Sequence, residues 1–187
     1  MRQMKRIVAV VFCLAMVCGT TLSSVHATQY SVSMVRLSQE KSLWCWAANA
    51  RMHSSFKYQP PLYTQEEIVR YVKNGSAANV TASTSEITKA IKFALGGNTT
   101  VSATNAITFS QAQTKIQTNK RPFSIGLQTT DGGHVVLIDA VETDNSSVRI
   151  VDPNPSVTTR SFYTVSSLTD LYFSKYGRGL WVNTWYW

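Results

Sequence analysis

Histidine and cysteine are scarce in this chain, three of each, and only ten residues are acidic. That scarcity removes most metal chemistry: no HExxH pair, no paired CxxC and no histidine cluster exists, so no metal and no cofactor is expected. No P-loop or Rossmann glycine pattern is present either, which argues against a phosphate- or dinucleotide-binding loop. The cysteines are too few and too clustered for a disulfide scaffold. Charged residues make up only 15% of the chain against 44% apolar, a balance that excludes disorder, collagen and coiled coil. No internal repeat and no low-complexity linker breaks the sequence. The apolar content of 187 residues suffices for one buried core, in one domain of one or two lobes.

The first 27 residues form a unit of their own. Arg2, Lys5 and Arg6 are followed by an apolar run from Ile7 to Cys18 and then by Val25-His26-Ala27. The apolar run is too short to span a bilayer comfortably, and a basic stretch, an apolar stretch and a small-x-small site read as a secretory signal peptide cleaved after Ala27. A lipid anchor on Cys18 is the alternative, although Val17 occupies the place where a small residue is needed. Cleavage leaves 160 residues, lowers the net charge from +8 to +5, and removes Cys13, Cys18 and His26. The product is expected outside the cell or in the periplasm, with no stable membrane anchor. Its dispersed positive charge does not predict nucleic-acid binding. One cysteine, Cys45, remains with two histidines, His53 and His134. A lone thiol in an oxidising compartment is either buried and inert, paired between molecules, or retained for its reactivity.

Residues 31–37 alternate and predict a short strand. Leu43 to Tyr58 turns helical, with Ala48, Met52 and Phe56 on one face and Pro60-Pro61 as the stop. Thr64-x-x-Glu67 and Ser83-x-x-Glu86 are capping boxes opening two further helices, ended by Asn74-Gly75 and Gly96-Gly97. Ser110-x-x-Gln113 predicts a shorter helix to about Asn119. Beyond Arg121-Pro122 the pattern is β: strands over 123–129, 134–142, 148–151, 158–165 and an aromatic one over 179–187, with one or two helical turns over 167–173. Helices first and strands second predict an α+β fold with an antiparallel sheet. The aromatic end reads as a core strand rather than a carbohydrate platform.

Three clusters could carry chemistry. In Gln39-Glu-Lys-Ser-Leu-Trp-Cys45-Trp-Ala-Ala a cysteine opens a helix, where the free N–H groups and the dipole favour a thiolate and can hold an oxyanion. Gln39 could fold back as a second oxyanion donor; the bland alternative is a buried cysteine with Gln39 solvated. In Gly132-Gly133-His134 a histidine starts a strand at an approachable edge. Val151-Asp152-Pro153 ends the next strand, 18 residues on, so a tight hairpin would bring Asp152 to the imidazole as its orienter, unless the acid merely forms a turn before proline. His53 lies eight residues after Cys45, about 12 Å along a helix, and cannot reach the thiol. Asp139 and Asp144 lie inside or beyond the His134 strand.

With nucleophile, base, orienter and oxyanion donor in the order Cys, His, Asp, the sequence resembles the papain-clan cysteine peptidases. Gln39, Cys45-Trp46, the Gly-His134 strand start and Asp152-Pro carry the resemblance, which runs from about Val32 to Trp187. It is closest in type to small bacterial branches: bacteriocin-leader peptidases, staphopain-type secreted proteases and plant-pathogen effector proteases. Two departures stand out. Ser42-Leu43-Trp44 replaces the Cys-Gly-Ser motif of the animal and plant enzymes, and Asp152 stands where those enzymes use Asn, with Asn154 as the fallback. The resemblance implies a papain-like domain over 28–187, with lobes of about 28–119 and 120–187 and a cleft between them. It implies a cysteine endopeptidase acting on peptide or protein substrates through Cys45, His134, Asp152 and Gln39. The inhibitory pro-segment of papain relatives has no room in the ten or so residues before Gln39. Restraint would then fall to a protein inhibitor or to oxidation of the thiol. Two rivals remain: acyl transfer or deamidation by the same triad, and a non-catalytic secreted binding or toxin-like module on a protease scaffold.

Overall fold

A computed structural model describes residues 28–165, 171–173 and 177–187. The expected signal peptide, residues 1–27, lies outside them. The elements follow in the order β1 (Gln29–Ser31), α1 (Cys45–Tyr58), α2 (Gln65–Val72), α3 (Thr84–Ala94), β2 (Ser102–Asn105), α4 (Phe109–Gln113) continued by a π-helical turn (Thr114–Thr118), β3 (Phe123–Thr129), β4 (Gly132–Glu142), β5 (Ser147–Val151), β6 (Ser161–Thr164), β7 (Leu171–Phe173) and β8 (Gly177–Tyr186). The fold is α+β. Its sheet is antiparallel in the order β2-β8-β3-β4-β5-β6, with β1 on β4 and β7 on β8.

Both predicted capping boxes form. Thr64 and Ser83 each accept the N–H of the glutamate three residues on, and each glutamate accepts the cap's own N–H. Lys73 at the end of α2 bonds Glu86 of α3 at 2.6 Å, which locks the two helices together. The third box is displaced from its expected place. Thr108-x-x-Gln111 caps α4, not Ser110-x-x-Gln113. Ile107 before the cap and Ala112 after it are both buried in the same core, a hydrophobic staple that the later register would replace with Phe109 and the polar Thr114.

Helix α1 is the centre of the helical layer. From Cys45 to Ser55 it is buried on nearly every side, Arg51 being the exception. The run Ala47, Ala48 and Ala50, all fully buried, lets it approach its neighbours closely. Strand β4 is buried on both faces, as a central strand must be. Val135 and Leu137 pack toward the helices, while Val136 and Ile138 join the second core with Phe123, Ile125 and Trp181.

Other expectations shift. The strand expected over 31–37 is paired only at 29–31; beyond it the chain stays extended as a strap, with Val32 and Met34 buried between exposed neighbours. Strap and sheet are joined by the Val32 N–H to the Asp139 carbonyl at 2.8 Å and by the Arg160 guanidinium to the Met34 carbonyl at 2.7 Å. Asp139, fully buried, accepts from both Arg149 and Arg160 at 2.7 Å. Of the helical turns expected over 167–173, residues 171–173 are instead a strand on β8, and 166–170 lie outside the described residues. Trp181 and Trp185 of the aromatic strand are core residues, each 1% exposed. Two segments of the first 119 residues, β1 and β2, belong to the sheet. Among the described residues, no helix is long and apolar enough to cross a membrane.

Candidate active site

Cys45 is the first residue of α1. Trp44 before it supplies no side-chain cap, and no acid sits in the first turn, so the positive end of the helix is left to the thiol and whatever it binds. The two flanking tryptophans have a structural reason. The Trp44 indole N–H donates to the Ala78 carbonyl at 3.0 Å and that of Trp46 to the Val80 carbonyl at 3.1 Å. Together they rivet the 77–80 loop beside Cys45.

His134 enters from β4. The β4–β5 hairpin pairs as far as Leu137 with Val151, and immediately beyond that pair the chain turns at Asp152. The hairpin thus delivers Asp152 to His134: Nε2 lies 2.9 Å from Oδ1, with the carboxylate side chain only 4% exposed. His134 is also hydrogen-bonded to Cys45, and with Nε2 on Asp152, Nδ1 is the nitrogen left for the sulfur. Burial on its own would lower the His134 pKa. The bonds and charges of Asp152 and Cys45 outweigh it and raise the value to about 9. The imidazolium is therefore held through neutral pH, between a carboxylate and a sulfur that can carry negative charge.

Three of the four expected site residues meet in this way. Gln39 is buried nearby, but its amide Nε2 donates to the carbonyls of Lys41 and Ser42, at 3.0 and 2.7 Å. It thereby shapes the turn that leads into α1, while its Oε1 is buried without a hydrogen-bond partner. The other candidates are occupied elsewhere. The Asn154 side chain accepts from Ser156, and its N–H donates to Asp152 Oδ1 at 2.8 Å. Asp139 belongs to the two arginines, and Asp144 accepts from Thr28 and Thr143.

Sequence reasoning did not single out Asn49. Fully buried one helical turn after Cys45, it donates to the Cys45 carbonyl at 3.0 Å and to the Val135 carbonyl at 2.7 Å, and so ties the helix of Cys45 to the strand of His134. Its i, i+4 spacing from the cysteine was the available signal. Behind it runs a one-way chain of donors. The Trp187 indole N–H donates to His53 Nδ1 at 3.0 Å. His53 Nε2 therefore carries the proton and donates to Ser124 Oγ at 2.8 Å, and Ser124 donates to Asn49 Oδ1 at 3.2 Å. His53 is structural, as its distance from the thiol required, and burial pulls its pKa down to about 3.

Cys45 and His134 open onto a cleft of about 350 Å³, walled by Leu43, Trp46, Thr81, Gly126 and Trp185 among others, with no Asp, Glu, Lys or Arg in its described lining. Gly126 lets β3 lie close against Trp185: a Cβ there would lie 3.0 Å from Trp185 Cη2 and 3.4 Å from Asn183 Cβ, and Trp185 is 1% exposed. Gly126→Ala is expected to cost about 1–3 kcal/mol of stability through overpacking and to raise KM more than it lowers kcat. Urea melts and steady-state kinetics on a peptide substrate check both, and an unchanged KM would mean that pressing on Trp185 does not alter the cleft.

No curated protein matches the chain. The family model described as papain-like cysteine protease AvrRpt2 matches residues 26–172, a span that contains Gln39, Cys45, His134 and Asp152, so the chain belongs to that family and is a papain-like cysteine protease.

Proposed function

We propose that the chain is a secreted cysteine endopeptidase working through a Cys45–His134–Asp152 triad. The observation that carries this reading is the single histidine bonded on one side to a buried carboxylate and on the other to the sulfur of a helix-opening cysteine. The Cys45 thiolate attacks a peptide carbonyl and forms the C–S bond. His134 gives its proton to the departing amine as the C–N bond breaks. Water then attacks the thioester as His134 takes its proton, the C–S bond breaks to return the Cys45 thiolate, and the acyl group leaves as a carboxylic acid. Asp152 holds the ring in the tautomer that presents Nδ1 to sulfur. The Cys45 N–H stabilises the tetrahedral oxyanion; Gln39 would join it by turning one amide hydrogen from the carbonyls it now binds. Each such donor contributes ~3 kcal/mol in comparable sites. Secretion rests on the basic-apolar-small pattern of residues 1–27.

The test is labelling with an electrophilic peptide probe carrying an apolar residue. One equivalent should attach, at Cys45, in the native protein. Cys45→Ala should take up none and hydrolyse nothing, and His134→Ala should label slowly. Probe uptake that is the same in native and urea-unfolded protein would sink the proposal.

A further inference from the structure

The turn that carries Asp152 is held from outside. Arg36 in the strap donates through Nε to the Asp152 carbonyl at 2.7 Å and through Nη2 to the Asn154 carbonyl at 2.6 Å. Between these two, the Pro153 carbonyl accepts the Gln39 main-chain N–H at 2.8 Å. Three successive carbonyls of the acid-bearing turn are thus taken by two residues of one short segment. The third arm of Arg36, Nη1, rests on Ser38 Oγ at 3.0 Å. Among the described residues, no carboxylate forms an ion pair with Arg36. Its planar fork is spent on neutral carbonyl oxygens, a geometry that lysine cannot reproduce.

The same segment reaches the other half of the site. Gln39 binds Pro153 through its main chain and the Lys41–Ser42 turn through its side chain, and that turn runs into Cys45. Upstream, the strap is anchored to the sheet at Val32 and Met34. Strap, acid turn and nucleophile helix are therefore one connected framework.

We infer that Arg36 is a positioning residue: its guanidinium holds the Asp152–Asn154 turn so that the Asp152 carboxylate stays on His134. It touches neither substrate nor the reacting atoms and acts only through Asp152. The inference rests on the triad reading above. Without the fork, two charge-assisted bonds are lost, and the turn keeps the Asn154 N–H to Asp152 Oδ1, the Val157 N–H to the Asn154 carbonyl and the Gln39 N–H to the Pro153 carbonyl, none of which replaces the bond to the Asp152 carbonyl. The carboxylate then wanders, and a displacement near 1 Å is enough to cost about 10²-fold in rate.

The experiment compares Arg36→Ala, Arg36→Lys and Asp152→Ala by kcat, KM and the alkaline limb of the pH profile, alongside urea melts. Arg36→Ala is expected to lower kcat by ~10–100-fold with KM nearly unchanged, and to move the alkaline limb down by about one pH unit. Asp152→Ala moves the limb in the same direction and further. Arg36→Lys falls between wild type and Arg36→Ala. Added ethylguanidinium recovers part of the Arg36→Ala activity and none of the Asp152→Ala activity. If Arg36→Ala does not fold, the limb of Arg36→Lys and its kcat decide. A lowered unfolding midpoint with kcat and limb both unmoved would make Arg36 merely structural and overturn the inference. If Asp152→Ala also leaves the limb in place, the triad reading itself fails. If Asp152→Ala moves it and neither Arg36 variant does, only the role of Arg36 fails.

Discussion

Asp152→Ala is expected to lower kcat/KM by about 10²–10³-fold, the scale of an impaired general acid–base. The sign of the accompanying pH effect follows from His134. Burial would drive that ring neutral, and it stays protonated to about pH 9 because Asp152 and Cys45 favour the cation. The imidazolium that the proposed mechanism uses as general acid is therefore present at neutral pH and lost as pH rises through about 9. Removing Asp152 deletes one of the two groups that hold the proton, so the limb moves toward neutrality. Controls separate this from general damage. Asp139→Ala strips the partner from two arginines and should lower stability while leaving the limb in place. Asp144→Ala and Asn154→Ala remove contacts made to Thr28, Thr143 and Ser156 and should cost far less activity than Asp152→Ala. If Asn154→Ala proves the most damaging of the four, the orienter is the asparagine and not Asp152.

The second large effect is on stability at acid pH. His53 is fully buried, with its pKa pulled from 6.5 to about 3. Its Nδ1 already accepts the Trp187 N–H, so a second proton would set donor against donor. The unfolded chain binds that proton below pH 6.5 and the native protein does not. Stability contributed by neutral His53 is thus whole above pH 6.5 and is lost as pH falls toward 3, at about 1.4 kcal/mol per pH unit and roughly 5 kcal/mol over the whole range. That is comparable to the entire stability of many domains. The window from pH 6.5 to 5 isolates the effect, since Glu86, held down to about 2 by Lys73 and Ser83, contributes only at lower pH. His134 works in the opposite direction: its raised pKa adds stability that is complete below 6.5 and disappears as pH rises through about 9. Urea midpoints across pH 5–9 should therefore peak near 6.5. In His53→Gln the overall midpoint drops but the acid slope between 6.5 and 5 flattens. A slope as steep in His53→Gln as in the wild type would place the acid sensitivity elsewhere.

What could be read from sequence was local or carried by strand ends. Capping boxes are three-residue patterns with their own hydrogen bonds, so Thr64 and Ser83 were legible. Thr108 was missed because two overlapping boxes occur there, and only the burial of Ile107 and Ala112 separates them. Cys45, His134 and Asp152 were legible because a helix start and the two ends of one hairpin are positions a sequence pattern can locate. Arg36 could not be found in this way. It meets Asp152 across 116 residues, and nothing in the local pattern of the strap says where the strap will lie. Asn49 and Ser124 read as ordinary polar residues until the helix and the strand face each other.

The order in which strands join the sheet has a consequence for biogenesis. Strand β8 sits inside the sheet, between β2 and β3, and its Trp185 floors the cleft that Cys45 serves. Trp187 closes the donor chain behind the helix of Cys45, and at the other extreme residues 29–31 wait for residues 140–142 before they pair. Contacts so distant along the chain form late, after the cost of closing long loops has been met. A polypeptide still emerging from the ribosome has its cysteine and its histidine already synthesised but no sheet to hold them together. Peptidase activity should thus appear only once β8 is free to insert between β2 and β3, and on the secretion proposed above the compartment of synthesis would be shielded by topology until export is complete.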